Sequence, residues 1–364
     1  MSFHIVTWFK KLRRWSQLNK LKDNRIIKPA WDAMDFFLKG SSEVTLGGPH
    51  IREAMDIKRY MIFAVIALLP SAGSAVYYYG IKAFWMIILS YVFGITTEWI
   101  FAIFKKDEIH EGIFVTCMIY PLTLPPTIPL WMLAVGIVFG VFFGKEVFGG
   151  TGRNIFNPAL VGRLFITIAF PFQMASNWVN PMISKGHFFT MDFSTIPDAI
   201  TTATPLVFLK AGEPMLFSVR ELLLGAVPGT IGETFRLGII IAGILLIITK
   251  ISSWRIPVTY LATVVILAAI GHALMPEAVY APINQILTGG LLYGAFFMAT
   301  DPVSSPYTNK GKIIFGIGLG VLTVMIRSFS GYTEGVMFSI ILMNAFGPLI
   351  DSTVLDAKFK PLSD

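Results

Sequence analysis

Three carboxylates stand in strongly apolar surroundings: Glu98 in GITTEWIF, Asp301 in MATDPV and Asp351 in GPLID. An ionisable side chain within a membrane span is costly and marks an ion or proton route by default. Carboxylates in a channel of low dielectric suit a hard monovalent cation or a proton. Each also has a plainer reading. Glu98 can be structural, Asp301 can cap a helix, and Asp351 can be solvated at a helix end.

Two stretches break the apolar pattern around such groups. One is Gly144 to Arg163, GKEVFGGTGRNIFNPALVGR, and the other is Gly289 to Pro306, GGLLYGAFFMATDPVSSP. Each pairs glycines with an Asn-Pro or Asp-Pro step, and proline after Asn or Asp is a helix-start signal. Irregular backbone at membrane depth is tolerated only where it lines a cavity or is buried in protein. Each stretch therefore reads as a loop dipping into the membrane edge with a helix N-terminus aimed inward. Asn154 and Asn157 would present amide donors and acceptors there. Capping and close helix packing are the alternative.

A third pattern is Asp198-Ala199-Ile200-Thr201-Thr202-Ala203-Thr204-Pro205. Thr204 reads as an N-cap with Pro205 at the first helical position. A hydroxyl beside free backbone N–H groups is a place where a phosphate would be stabilised. An ordinary cap has the same pattern.

The elements that position these residues follow from composition. The chain of 364 residues is 54% hydrophobic and only 14% charged, with a mean hydropathy of +0.68. Soluble domains carry roughly a quarter charged residues, so the chain reads as an all-α integral membrane protein. The single Cys117, in an apolar stretch, excludes an internal disulfide and reads as a small buried residue. The net charge of +7 comes from basic residues beside apolar spans, so nucleic-acid binding is not expected. No signal peptide is expected: residues 1–56 are polar and basic, and the first apolar run begins near Tyr60.

Apolar runs suggest ten transmembrane helices: Met61–Tyr79, Ala83–Phe104, Ile113–Leu124, Ile128–Phe143, Phe156–Phe172, Leu237–Thr249, Val258–Met275, Ile286–Ala299, Ile313–Ile326 and Val336–Ile350. Several are short. Lys10 to Lys28, Lys105–Lys106, Lys145 with Arg153, Lys250 with Arg255, Lys310 with Lys312, and Lys358 with Lys360 fall at every second loop. The positive-inside rule then puts both termini in the cytoplasm. Expected divisions are a cytoplasmic extension over 1–56, five helices over 57–172, an external loop over 173–236, five helices over 237–352 and a cytoplasmic tail over 353–364. Within the loop, Arg220 to Val227 suits a helix lying along the interface. Glu111-Gly112 with Pro125, and Glu334-Gly335 with Pro348, recur at the same interval on opposite sides. That recurrence suggests an inverted repeat with broken or re-entrant helices.

The runs GGTGRNIFNPAL, TDPVS and MNAFGPLID, with the DxxTTAT stretch, together resemble the NqrB/RnfD family of membrane subunits, NqrB being a component of the sodium-translocating NADH:quinone oxidoreductase. The likeness covers nearly the whole chain. It implies that Thr204 carries FMN through a phosphoester made by a separate flavin transferase. Asp198, Thr201, Thr202 and Ala203 would complete the motif, Thr202 standing where glycine is usual. It implies riboflavin near Gly152, Arg153, Asn154 and Asn157, and quinone near Gly94 and Glu98, with Ile95 where the family has a second glycine. It implies sodium at Glu98, Asp301 and Asp351.

The implied function is that of a respiratory sodium pump component in the bacterial inner membrane, with the Thr204 loop periplasmic. It would relay electrons to quinone within a six-subunit complex of membrane and peripheral partners. No strand–GxGxxG–helix unit is present, so NADH oxidation would belong to a partner. Two rivals remain. One is the RnfD-like component of a ferredoxin:NAD oxidoreductase complex. The other is a secondary transporter without redox chemistry, which inverted repeats and midplane carboxylates would also suit.

Overall fold

The computed structural model describes residues 57–359, apart from 107–108, 176–177, 186, 194–199, 202 and 216. Asp198 and Thr202 lie outside the described residues. The architecture is helical; the described strands are one short antiparallel pair, β1 (Trp178–Val179) with β2 (Ile200–Thr201).

Four helical segments are long and apolar enough to cross a membrane: Tyr60–Lys105, Arg255–Leu274, Asn309–Phe329 and Val336–Phe359. The first belongs to α1 (Ile57–Lys105), which is two helices meeting at Gly80. Gly80 has φ 63°, ψ −146°, and the carbonyl of Phe188 accepts from the N–H of Ile81 at 2.7 Å. A Cβ at position 80 would stand 2.1 Å from that carbonyl oxygen, so both the angle and the contact require glycine. The two arms of α1, on either side of Gly80, hold the first two expected spans.

The third, fifth and sixth expected spans fall on shorter helices. α2 (Gly112–Leu122), α4 (Pro158–Ala169) and α9 (Arg236–Ile248) run 11, 12 and 13 residues. At about 1.5 Å per residue these reach well short of a hydrocarbon core of about 30 Å. The break after α2 is closed by protein. The N–H groups of Ile231 and Gly232 donate to the carbonyls of Leu124 and Leu122 at 3.1 and 2.8 Å, which leaves neither carbonyl bare toward lipid.

Two irregularities match each other. α3 (Leu130–Val141) widens into a π-turn at Phe142–Glu146, and the segment after Leu291–Tyr293 widens into another at Gly294–Met298. Such turns frequently sit at functional sites. The expected eighth span, Ile286–Ala299, is not one helix. It is divided into α11 (Pro282–Leu287), a break at Thr288–Gly290, and the segment ending in the second π-turn.

Apolar side chains cover the outside of the helices as well as the core, and several charged groups are buried. Ile241, Ile244, Leu245 and Ile248 are exposed along α9, whereas Glu98, Lys145, Arg163, Arg236, Gln285 and Arg327 are buried. An apolar outer surface needs lipid or partner helices against it. Arg220 to Val227 contains α8 (Val219–Leu224), six residues closed at the front by a Ser218–Glu221 capping box and ended by Gly225 in the left-handed region. Six residues cannot cross a membrane.

Candidate functional site

The two interrupted stretches meet at one inner cavity. Its wall includes Lys145, Thr151, Asn154, Asn157 and Pro158 from the first, and Phe296, Phe297, Asp301 and Pro302 from the second; α2 adds Gly112 and Thr116. Asn157 caps α4, its Oδ1 accepting from the N–H of Ala159 at 3.0 Å. Among the described residues its amide nitrogen has no partner. Asn154 is tied within its own loop: Oδ1 accepts from Gly152 N at 3.3 Å, and Nδ2 donates to Phe156 O at 3.0 Å. Gly152 and Arg153 are exposed.

The three carboxylates are not equivalent. Asp301 lines the inner cavity. The plainer reading of Asp301 as a helix cap does not hold: it accepts from Val303 N at 3.2 Å and Ser304 Oγ at 2.9 Å in a local turn. The helix that follows, α13 (Asn309–Phe329), is capped by Thr308 instead. Pro306 explains the delay, since proline inside the helix would cost a backbone hydrogen bond and clash with the preceding turn.

Asp351 lies within α14 (Val336–Phe359), not at its end. Its carboxylate takes three donors: Tyr307 N at 2.6 Å, Thr308 N at 2.9 Å and Thr308 Oγ1 at 2.6 Å. Asp351 thus pins the start of α13 to α14. Glu98 is joined to Lys145 at 2.6 Å, both side chains almost wholly buried, and also accepts from His110 N at 2.8 Å. Lys145, counted from sequence as a cytoplasmic loop charge, is therefore a core residue. Gly94 packs against Cys117; a Cβ there would stand 2.4 Å from its Sγ. Neither Gly94 nor Glu98 lines either of the two cavities.

Thr204 lies elsewhere, on a second cleft of ≈ 200 Å³. Its backbone is extended (φ −92°, ψ 164°) and its hydroxyl makes no capping bond to α7 (Pro205–Lys210). Ala203 beside it is half-buried, and the backbone of Thr201 pairs with Trp178. α7 has only six residues, so the helix-dipole argument for a phosphate carries little weight here. Lys210 fixes the far end of α7. Its ammonium donates to the carbonyls of Ser330, at 2.6 Å, and Tyr332. Burial against that loop pulls its pKa below the usual lysine range.

The matching family model, described as the NQR2, RnfD, RnfE family, covers residues 44–360. The chain belongs to the NQR2, RnfD, RnfE family. Among its relatives, a Pseudomonas aeruginosa protein named as the B component of a Na(+)-translocating NADH-quinone reductase is 34% identical, over 91% of this chain and 92% of its own length. Proteins of the same name from Azotobacter vinelandii and Klebsiella pneumoniae are 35% and 32% identical, each over 91% of this chain and 92% and 93% of their own lengths.

The Thr204 cleft of this family member contains charges that no span-by-span reading selects. Arg163, Arg236, Glu233 and Glu334 line it, with Trp178, Tyr332 and Phe338 on its walls. Glu334 is matched: it accepts from Arg327 at 3.0 Å and from Gly290 N at 2.8 Å. Arg236 holds Leu222 O at 2.7 Å but leaves Nε unpartnered. Arg163 is buried, and among the described residues its Nε has no hydrogen-bond partner. The sequence signal for Arg163 is its place inside the expected fifth span, Phe156–Phe172.

Both cavities offer groups of the kind a flavin would need. Aromatic walls suit a planar ring. The unpartnered Nε atoms of Arg163 and Arg236 in the Thr204 cleft call for carbonyl or anionic acceptors. Asn157, whose Nδ2 lacks a partner, offers a donor in the inner cavity.

Proposed function

We propose that this chain is the NqrB-type membrane subunit of a respiratory NADH:quinone oxidoreductase that pumps sodium. Likeness over nine-tenths of the chain to proteins named for that enzyme carries the reading. Thr204 would hold FMN as a phosphoester attached by a flavin transferase, within a motif opened by Asp198. The inner cavity at Asn154 and Asn157 would hold riboflavin, and quinone would be reduced near Gly94 and Glu98. When bound, the flavins supply one-electron chemistry. The chain supplies their position, a dry surround and an ion route in which Asp301 faces the cavity.

Ten crossings arranged as an inverted repeat would complete this topology, with both termini cytoplasmic and the Thr204 loop periplasmic in a bacterial inner membrane. The exposed apolar faces would bury against other membrane components of a six-subunit complex. NADH would be oxidised in a peripheral partner.

Ultraviolet fluorescence of the denatured, isolated chain in a gel tests the flavin reading. From cells that express the flavin transferase the wild-type band should glow and Thr204→Ala should be dark. A dark wild-type band would sink the reading. The family description also covers RnfD, so the second reading is the equivalent component of a ferredoxin:NAD complex. Sodium-stimulated quinone reduction by the purified complex separates the two.

A further inference from the structure

We infer that Arg163, with Arg236 and Glu233, forms the floor that receives the pyrimidine edge of the flavin on Thr204, and that Arg163 raises that flavin's reduction potential. This rests on the reading that Thr204 carries FMN. The observations are independent of that motif. Arg163, Arg236, Glu233 and Thr204 line one cleft. The Nε atoms of Arg163 and Arg236 are buried without hydrogen-bond partners, and a buried donor left unsatisfied is costly. Glu334, the other acid of the cleft, is already held by Arg327 and Gly290 N.

Glu233 and Glu334 flank Gly290 from two directions; a Cβ there would stand 2.6 Å from Oε1 of Glu233 and 3.8 Å from Oε2 of Glu334. With Glu334 assigned to Arg327, the floor keeps two guanidiniums and one carboxylate. A pyrimidine edge presents carbonyl O2 and O4 on either side of the N3–H. The guanidiniums can donate to the carbonyls and Glu233 can accept from N3–H. The carbonyl Arg236 already holds fixes one face of its fork, whereas the Nε of Arg163 has no hydrogen bond to give up on meeting the ligand. Reduction places negative charge on the N1–O2 locus, so a guanidinium there binds the reduced form better than the oxidised form.

The test is a redox titration of the assembled complex. Subtracting the titration of the Thr204→Ala complex isolates the Thr204 flavin. Arg163→Gln should reduce the preference for the reduced form about tenfold, a fall of about 59 mV for one electron. Arg163→Lys should fall less. Glu233→Gln should move the potential the opposite way, and it answers the question if Arg163→Gln fails to assemble. Arg220→Gln, an exposed change on α8, should leave it unmoved. A fluorescent Arg163→Gln band with an unchanged potential overturns the proposal, as does a shift of the same sign in Arg163→Gln and Glu233→Gln. A dark wild-type band overturns the attachment to Thr204 itself, and this proposal with it.

Discussion

Glu98 and Lys145, 47 residues apart in sequence, are joined at 2.6 Å with side chains only 3% and 2% exposed. Removing one partner strands the other charge in the core. Glu98→Ala or Lys145→Met alone should cost about 3–5 kcal/mol. The double change Glu98→Gln with Lys145→Met should recover most of that. Thermal unfolding of the detergent-solubilised complex reads both; a double variant no better than the worse single one would refute the pairing argument.

Asp301 and Asp351 should separate in a sodium titration. Asp301 faces the inner cavity, so Asp301→Ala should raise the sodium needed for half-maximal quinone reduction about tenfold or more, the equivalent of losing one charge-assisted contact of about 1.5–3 kcal/mol. Asp351 has three donors from the start of α13. Asp351→Ala should chiefly lower the unfolding temperature. A sodium shift in Asp351→Ala as large as in Asp301→Ala would assign both to the ion route.

Gly94 and Cys117 make a size-limited contact. Gly94→Ala puts a methyl 2.4 Å from Sγ and 3.3 Å from Cγ1 of Ile137. Overpacking of this kind costs about 1–3 kcal/mol. Cys117→Ala should relieve it, and thermal unfolding of the single and double variants reads the coupling. Cys117 is fully buried, so a maleimide should label it only after denaturation.

Lys210 bridges the Thr204 helix to the loop before α14. Lys210→Met leaves two carbonyls without their donor. Hydrogen exchange over residues 205–210 and 330–335 should quicken, while gel fluorescence on Thr204 stays. Unchanged exchange in both segments would show that the bridge restrains neither.

Much of this was open to a sequence reader because membranes impose harsh rules. The apolar runs located the helices, and the Asn-Pro step located the cap at Asn157. The broken stretches pointed to the inner cavity, since irregular backbone needs protein cover. What failed was range. The Asp-Pro step marked a turn, but Pro306 pushed the helix start to Asn309. Lys145 was counted by its neighbours in sequence, while its burial is set by Glu98 in another helix. Arg163 and Arg236 acquire meaning only when the cleft brings them beside Thr204. Long-range pairing leaves no local pattern.

The segment from Gly289 to Asp301 has one end on the Thr204 cleft and the other on the inner cavity. Whatever orders one end bears on the free energy of the other, and such linkage is reciprocal. If an ion at Asp301 tightens the outer cleft on its occupant by some factor, that occupant must tighten the ion by the same factor. A single stretch of chain, broken at Gly289 and widened at Gly294–Met298, is then one route by which the occupant of the cleft would set ion affinity at the cavity.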